Sequence, residues 1–317
     1  MLHNIIQMAV VLANIDYLDD VQIIKTSEFK LNELNSTNIQ KNKKKVILFV
    51  AVAWYKSNNA MTCIKNIFSV KKLVDHVVIL YNHPSEKQFY QIKINQMFRG
   101  SISCFDTLYC NHNAFVNENE FTITNDNEVR EYTLVINARF SKYKNTNIAK
   151  KCDNTIHIGY ITSSQIDIVI PTFGKIFNPD GKFVDHQKVN EILNNSMMGG
   201  IFSPIEGSCK ASSEYLLAGL PCISIKNDGG RDIWYNDKNS IICQNTEDAV
   251  MEAINTCLEK LKDGTFDRKQ IRDDHIKQSL VHRKCLTDYL FNKLEKLNIK
   301  LTDDEKQRVG IDIIARH

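Results

Sequence analysis

The stretch that decides the fold of this 317-residue chain runs from Phe202 to Trp234 and reads FSPIEGSCKASSEYLLAGLPCISIKNDGGRDIW. GGIFSP at 199–204 predicts a short strand, 210–218 predicts a helix, and PCISI at 221–225 predicts a second strand. Gly219 ends the helix, because glycine readily takes the left-handed conformation there and the proline two residues on cannot continue it. A strand, a turn of small residues, a helix and a further strand are typical of an α/β unit with a parallel sheet.

The same alternation extends in both directions from this stretch. Toward the N-terminus, predicted strands alternate with predicted helices, at Val46–Trp54, 59–73, Val77–Asn82, 85–98 and within Ser101–Cys110. After an Asn-rich polar segment come further predicted elements: strands at Tyr132–Phe140, Thr155–Ile161 and Ile166–Phe173, a helix at 185–196 and a mostly helical tail at 247–297. The predicted fold class is therefore α/β, with two Rossmann-like doubly wound domains that face each other across a cleft. The predicted bounds are 1–128 and 129–290, with a C-terminal helical tail at 291–317.

Composition excludes several classes of protein. Hydrophobic residues make up 43% and charged residues 24%, which is the balance of a folded soluble protein. The net charge is only +3 and the basic residues are spread along the chain, so no nucleic-acid partner is expected. The nine cysteines include no C-x-x-C pair, so no zinc site or other metal is expected, and scattered cysteines fit a reducing cytosol.

Two segments bear on location. The N-terminal MLHNIIQMAVVLANIDYLDD has no basic n-region and predicts a first helix or strand, not a signal peptide, and no window is long enough for a membrane span. KNKKK at 41–45 predicts a solvated loop. Contact with an anionic membrane surface is the alternative, and it needs more than this one basic run. We therefore expect a cytoplasmic protein, with peripheral membrane contact left open.

Glu206 lies at the predicted turn from strand to helix. It is followed by residues that begin the helix: Gly207, Ser208, Cys209, Lys210 and Ala211. Small residues allow close approach to the backbone, and the unpaired N–H groups of a helix start bind phosphate or sugar oxygens. An ordinary Gly-Ser N-cap is the alternative interpretation.

Three further residues follow within the same stretch. Glu214 lies eight residues after Glu206, and its two carboxylate oxygens suit the neighbouring hydroxyls of a ribose. A solvated glutamate on a helix surface is the alternative. Gly229 and Gly230 come just after a predicted strand, where the backbone either approaches a ligand or makes a tight turn.

Two cations lie just past the strand at Tyr132–Phe140. Arg139 and Lys144 are five residues apart, and two cations at a strand end can neutralise a diphosphate. Solvated charges in a loop are the alternative. Each of these features is weak alone, and their order and joint spacing are more specific.

Together they resemble the donor-binding domain of retaining glycosyltransferases of the group 1, or family four, type, which have the GT-B fold. The resemblance covers about residues 132–254. In that family an Arg after a strand is followed by a Lys five residues on, as Arg139 and Lys144 are here. An E-x-x-x-x-x-x-x-E motif corresponds to Glu206 and Glu214, and a G-L-P helix end and a Gly-Gly loop follow.

The resemblance implies roles for these residues. Arg139 and Lys144 would hold the donor diphosphate, and Glu206 would contact the transferred sugar, so these three are the expected catalytic residues. The backbone at 207–211 would lie beside the phosphates, Glu214 would hold the ribose, and Gly229 and Gly230 would border the donor. The family retains anomeric configuration, and we expect transfer without a metal or cofactor. The first domain would bind a glycan, lipid-linked or protein-linked acceptor.

The sequence also departs from the family. The N-terminal half is short for an acceptor domain, and the usual glycine-rich loop near the N-terminus is not recognisable. His112, in NHNAF, is a candidate donor contact, with a structural or linker histidine as the alternative. Two other functions remain open: a sugar-nucleotide epimerase on the same fold, which needs acid–base residues that we do not find, and a non-catalytic scaffold. P-loop, dinucleotide, hydrolase and D-x-D motifs are all missing from the sequence.

Overall fold

The structure is a computed structural model, and it describes residues 13–27, 31, 34, 39, 43–52, 58–97, 104–124, 129–162 and 165–314, with side chains at all of these except 58–60, 63, 68, 71 and 97. The chain divides into two compact units. The first comprises Met1–Phe115 with Leu280–His317, and the second comprises Val116–Ser279. The domain bounds that the sequence suggests stay predictions, and these units begin and end elsewhere.

The first unit is built on a five-stranded sheet with the order β1-β2-β3-β4-β5. Only β1 is antiparallel to its neighbour. The strands are β1 Ala13–Ile15, β2 Val21–Ser27, β3 Lys45–Ala51, β4 His76–Tyr81 and β5 Phe105–Tyr109, and the helices between them are α1 Asn58–Val70 and α2 Lys87–Met97. β3 and β4 are almost wholly buried runs of apolar residues, as parallel strands covered on both faces are.

The second unit has a six-stranded parallel sheet with the order β11-β10-β9-β6-β7-β8. Its strands are β6 Tyr132–Asn137, β7 Thr155–Ile158, β8 Lys175–Ile176, β9 Ser196–Ile201, β10 Cys222–Ile225 and β11 Ser240–Cys243. Its helices include α3 His186–Asn194, α4 Lys210–Leu217 and α5 Glu247–Lys262. The chain proceeds from β6 to β8 in one direction and from β9 to β11 in the other, so the order reverses between β6 and β9. Ligands of such sheets bind at this switch point, beyond the carboxyl ends of the strands.

The chain ends in two helices. α6, Arg268–Lys296, begins in the second unit and ends in the first, and α7 follows at Asp303–Ile314. None of the helices among the described residues is long and apolar enough to cross a membrane. The predicted α/β class with parallel sheets is confirmed.

Most predicted elements of the described chain are present, with small shifts at their ends. The strand predicted over Ile166–Phe173 is wrong, because its described residues form only one isolated bridge, between Ile168 and Ser141. The segment still alternates as an extended chain does, and Ile166, Ile168 and Ile170 are all exposed. The first twelve residues, residues 41–42 of KNKKK, and 101–103 lie outside the described residues. Three observed strands, β2, β8 and β11, were not predicted.

Candidate functional site

Three neighbouring strands of the second unit place the predicted residues at one edge of the sheet. β10, β9 and β6 are adjacent and parallel, so their carboxyl ends meet at the same edge. Arg139 and Lys144 follow β6, Glu206 follows β9, and Gly229 and Gly230 follow β10. The candidate site is therefore at the switch point of the sheet, where open α/β folds bind their ligands.

A buried ion pair forms the centre of the site. The Lys144 Nζ donates a hydrogen bond to Glu206 Oε1, and the side chains are only 14% and 7% exposed. The phenol of Tyr143 donates to the same oxygen at 3.2 Å. Lys144 belongs to a short 3-10 helix at Lys142–Lys144, which ends at the left-handed Asn145 with φ 52°. The pair therefore joins the segment after β6 to the segment after β9.

Arg231 brings a second cation to the same carboxylate. Its guanidinium is fully buried, and Nη1 lies 3.7 Å from Glu206 Oε2. Arg231 follows directly after the Gly229–Gly230 loop, so the third strand end also contributes to the site. Glu206 Oε2 has no hydrogen-bond partner among the described residues. One oxygen of the carboxylate is thus occupied by Lys144 and Tyr143, and the other is an unused buried acceptor.

The electrostatics follow from this arrangement. Burial alone would raise the pKa of Glu206, but Lys144 and Arg231 outweigh it and hold the pKa below its ordinary value. For Lys144, burial lowers the pKa, and the Glu206 charge outweighs that effect and raises it. Burial raises the pKa of the Cys209 thiol to about 12, and the charge of Glu206 adds to the effect. Glu206 is therefore ionised and Cys209 is a neutral thiol at neutral pH.

Arg139 lies on the same aromatic ring as Lys144. Its guanidinium carbon is 5.6 Å from the centroid of the Tyr143 ring, and the Lys144 Nζ is 4.8 Å from it. Arg139 is half-buried, and within the described part of the chain no carboxylate pairs with it. Tyr143 thus separates two cations, of which one is paired with Glu206 and the other has its charge available.

Glu214 is positioned by the end of β6. Its Oε2 accepts a hydrogen bond from Asn137 Nδ2 at 2.8 Å, and the Asn137 backbone N–H donates to the Tyr215 hydroxyl at 2.6 Å. The helix comes close to the sheet at Gly199 of β9, where a Cβ would meet the Tyr215 ring at 2.1 Å. Glu214 is 8% exposed, so the interpretation of a solvated surface glutamate is wrong.

The glycine loop, which the resemblance places at the border of the donor, packs against the backbone of Glu206. A Cβ on Gly229 would lie 1.8 Å from the carbonyl oxygen of Glu206. The same carbonyl accepts from Asn227 Nδ2 at 2.9 Å. Gly229 is therefore required for close approach of two backbone segments, and this approach fixes where Glu206 lies.

The remaining candidates are placed as follows. Four of them are buried: Gly207, Cys209, Ala211 and Gly230. Ser208 is half-buried and Lys210, the first residue of α4, is exposed. The Cys209 side chain does not cap the start of this helix. His112 belongs to the first unit, and its backbone N–H donates to Asn82 Oδ1 at 3.0 Å. The other candidates all lie in the second unit.

Sequence reasoning missed three contributors: Asn137, Tyr143 and Arg231. Asn137 and Arg231 do carry a signal, because each is a polar residue close to the carboxyl end of a predicted strand. Tyr143 is recognisable only once the segment after β6 is folded against Glu206. Among the described residues no group of three or more His, Cys, Asp or Glu side chains is placed to hold a metal ion.

Comparisons with known proteins place the fold. No family model matches the chain, and a search of curated proteins finds no match. HepE from Anabaena, solved with UDP and glucose, is 14% identical with a TM-score of 0.59, covering 84% of this chain and 77% of that one. Sucrose-phosphate synthase from Thermosynechococcus elongatus is 14% identical with a TM-score of 0.54, covering 86% and 74%. TarM is 15% identical with a TM-score of 0.52, covering 84% and 54%. At these identities the likeness concerns the fold, and the chain has the α/β architecture of GT-B glycosyltransferases.

Proposed function

We propose that the protein is a glycosyltransferase that moves a sugar from a nucleotide diphosphate sugar to an acceptor. The observation that carries the proposal is the Glu206 carboxylate, buried and ionised at the switch point of the second sheet, with Oε2 left without a hydrogen-bond partner among the described residues. A buried acceptor of this kind is costly unless a ligand donor completes it. A hydroxyl of the transferred sugar is such a donor.

Arg139 and Lys144 supply the charge that a diphosphate needs. They lie on either side of the Tyr143 ring, and the positive end of α4 begins four residues after Glu206. In the free protein Lys144 is paired with Glu206, so binding of the diphosphate exchanges one anionic partner of Lys144 for another. The protein's contribution to the reaction is then to orient the donor and to stabilise charge on the leaving diphosphate.

The other assignments extend this proposal. Glu214, held by Asn137, binds the ribose hydroxyls, and the backbone of 207–211 lies beside the phosphates. We propose transfer with retention and without a metal, because two cationic side chains take the place of a divalent ion at the diphosphate. HepE was solved with UDP and with UDP-glucose, which makes a uridine nucleotide the first donor to test. A role in polysaccharide synthesis at the cytoplasmic membrane surface is the setting that we propose.

The test is a thermal-shift and calorimetric screen against UDP-, GDP-, ADP- and dTDP-sugars, followed by measurement of nucleotide release with the best donor. We expect binding of one class, and we expect Lys144→Ala and Arg139→Ala each to reduce turnover by about 100-fold or more, in the range for charge-stabilising groups. Lys142→Ala is the matched control, because Lys142 is exposed in the same short helix. If no nucleotide sugar binds, or if both variants keep full turnover, the proposal fails.

A further inference from the structure

Arg231 is the most completely buried charged side chain at the candidate site. Its Nη1 donates to the carbonyl of Ser203 at 2.9 Å, and Nη2 donates to the Ser224 hydroxyl at 2.9 Å and to the carbonyl of Ile225 at 2.7 Å. Ser203 follows β9, and Ser224 and Ile225 end β10. The guanidinium thus joins two strand ends and holds a fixed position there.

The same guanidinium supplies charge to Glu206. Four groups face the Glu206 carboxylate: Lys144 and Tyr143 from the segment after β6, Arg231 from the segment after β10, and the Cys209 thiol at the start of α4. Two of the four are cations, and they approach different oxygens. Lys144 extends from a segment with one exposed face. Arg231 is instead fixed by acceptors on four residues, which are Ser203, Ser224, Ile225 and Asp232.

Donor binding changes which cations neutralise the Glu206 carboxylate. Under the proposed function, on which this inference rests, the diphosphate draws Lys144 away from Glu206. A buried carboxylate that loses its only cation is strongly disfavoured and takes up a proton instead. Glu206 keeps a second cation when Lys144 leaves, because Arg231 remains 3.7 Å from Oε2.

We propose that Arg231 is a positioning residue that keeps Glu206 ionised and in place while Lys144 is engaged by the donor diphosphate. Lysine does not replace it, because an ammonium group lacks the planar fork that reaches Ser203 and Ser224 together. A purely structural role for Arg231 would affect folding and leave the protonation of Glu206 unchanged, so the two roles can be distinguished.

The first arm of the test needs no ligand. Glutamate-labelled protein is titrated by carbon NMR, and Glu206 is assigned by the signal that disappears in Glu206→Gln. In Lys144→Met, which keeps every contact of Arg231, Glu206 is expected to titrate below its ordinary value of 4.5. In Lys144→Met/Arg231→Met it is expected to titrate at least about one unit higher, as removal of a nearby charge predicts. A Glu206 that titrates above 4.5 in Lys144→Met alone overturns the inference.

The second arm measures proton uptake on binding of UDP-glucose, by calorimetry at pH 6 in buffers of different ionisation enthalpy. The wild type is expected to take up no proton at Glu206. Arg231→Met is expected to take up a measurable fraction of a proton at Glu206 and to bind about tenfold more weakly, the equivalent of one pKa unit. Arg272→Met is the matched control, because it removes another arginine that donates to backbone carbonyls of the same unit, at Glu118, Phe121 and Leu217.

The outcomes separate the two proposals. If UDP-glucose binds the wild type, and Arg231→Met binds it equally well without proton uptake, this inference is wrong and the proposed function stands. If no nucleotide sugar binds the wild type, the proposed function fails and the inference fails with it. If Arg231→Met does not fold, the titration of Glu206 in Lys144→Met decides the first arm. Arg231→Lys then replaces Arg231→Met in the second arm. We expect it to bind UDP-glucose more weakly, and wild-type affinity would contradict the inference.

Discussion

Glu206 places a negative charge in the interior of the second unit, and two neighbouring cations stabilise it. Lys144 occupies one oxygen and Arg231 lies beside the other. The spacing of Glu206 from Arg139 and Lys144 along the chain indicated a shared site. It did not indicate the ion pair in the free protein, because that pair depends on how two loops from neighbouring strands meet.

The first residue-scale prediction concerns pH. Because the pKa of Glu206 is lowered in the folded chain, its contribution to stability is complete above its ordinary value of 4.5 and is lost as the pH falls through the lower folded value. Glu206→Gln leaves Lys144 buried without its partner, so we expect a loss of about 3 kcal/mol at pH 7. Thermal unfolding from pH 3 to 7 should show the difference from wild type shrinking below pH 4.5.

The control for that measurement is Glu131→Gln. Glu131 pairs with Lys175, and both side chains are 60% exposed, so its loss should change stability far less than the loss of the buried Glu206 does. A difference between wild type and Glu206→Gln that stays constant down to pH 3 would contradict the account of the pair.

The second residue-scale prediction concerns the ribose. Glu214→Ala removes both carboxylate oxygens and should weaken UDP-glucose binding by about 1.5–3 kcal/mol, the range for a hydrogen bond to a charged group. Asn137→Ala keeps the Glu214 carboxylate and removes the amide group that donates to it at 2.8 Å. Calorimetry with this variant therefore separates the contribution of the carboxylate from that of its positioning by Asn137. We expect the smaller effect from Asn137→Ala. Wild-type affinity in Glu214→Ala would rule out the ribose assignment.

At the scale of elements, the sequence predicted most of the second sheet. Continuous apolar runs gave β6, β7 and β10 close to their observed bounds, because buried parallel strands need such runs on both faces. Ile166–Phe173 is also rich in isoleucine and valine and forms no strand. Its alternate isoleucines are exposed, and a residue pattern alone does not say whether a neighbouring segment will cover them.

The element-scale prediction concerns the loop after β10. Gly229→Ala places a methyl group 1.8 Å from the Glu206 carbonyl oxygen, so the loop and Glu206 must move apart. We expect a stability loss of about 1–3 kcal/mol, as for overpacking, together with loss of UDP-glucose binding. Denaturant unfolding and calorimetry measure the two effects. Gly310→Ala is the control, because Gly310 lies within α7 and a Cβ there would meet only the Phe291 ring of α6, at an ordinary contact distance of 3.9 Å, so alanine should stabilise the helix.

At the scale of the whole molecule, the strand order decides where the site lies. The order β8-β7-β6-β9-β10-β11 reverses at β6 and β9, and the candidate residues follow those two strands and β10. Sequence patterns predicted that strands and helices alternate, which is local information. They did not predict the return of the C-terminal segment to the first unit, because that depends on contacts between residues far apart in the chain.

The C-terminal segment is tied to the first unit by polar contacts at several points. The His282 carbonyl accepts from the Cys110 thiol at 3.5 Å, and Arg283 Nε donates to the Ala114 carbonyl at 2.6 Å. Asp106 of β5 accepts from Tyr289, and the Lys293 Nζ lies 3.4 Å from it. These contacts are made by β5, which is the last strand of the first sheet, and by the residues just after it.

We therefore predict that truncation after Ser279 unfolds the first unit and leaves the second one folded. Hydrogen exchange by mass spectrometry should show loss of protection in β2–β5, while β6–β11 keep theirs, because the removed residues belong to the first unit. Asp106→Asn in the full chain is the control: it weakens one of these contacts and should lower the stability of the first unit without unfolding it. Nucleotide binding by the truncated chain should persist if the second unit alone holds the donor. Full protection of β2–β5 after truncation would show that the C-terminal helices are a separate tail.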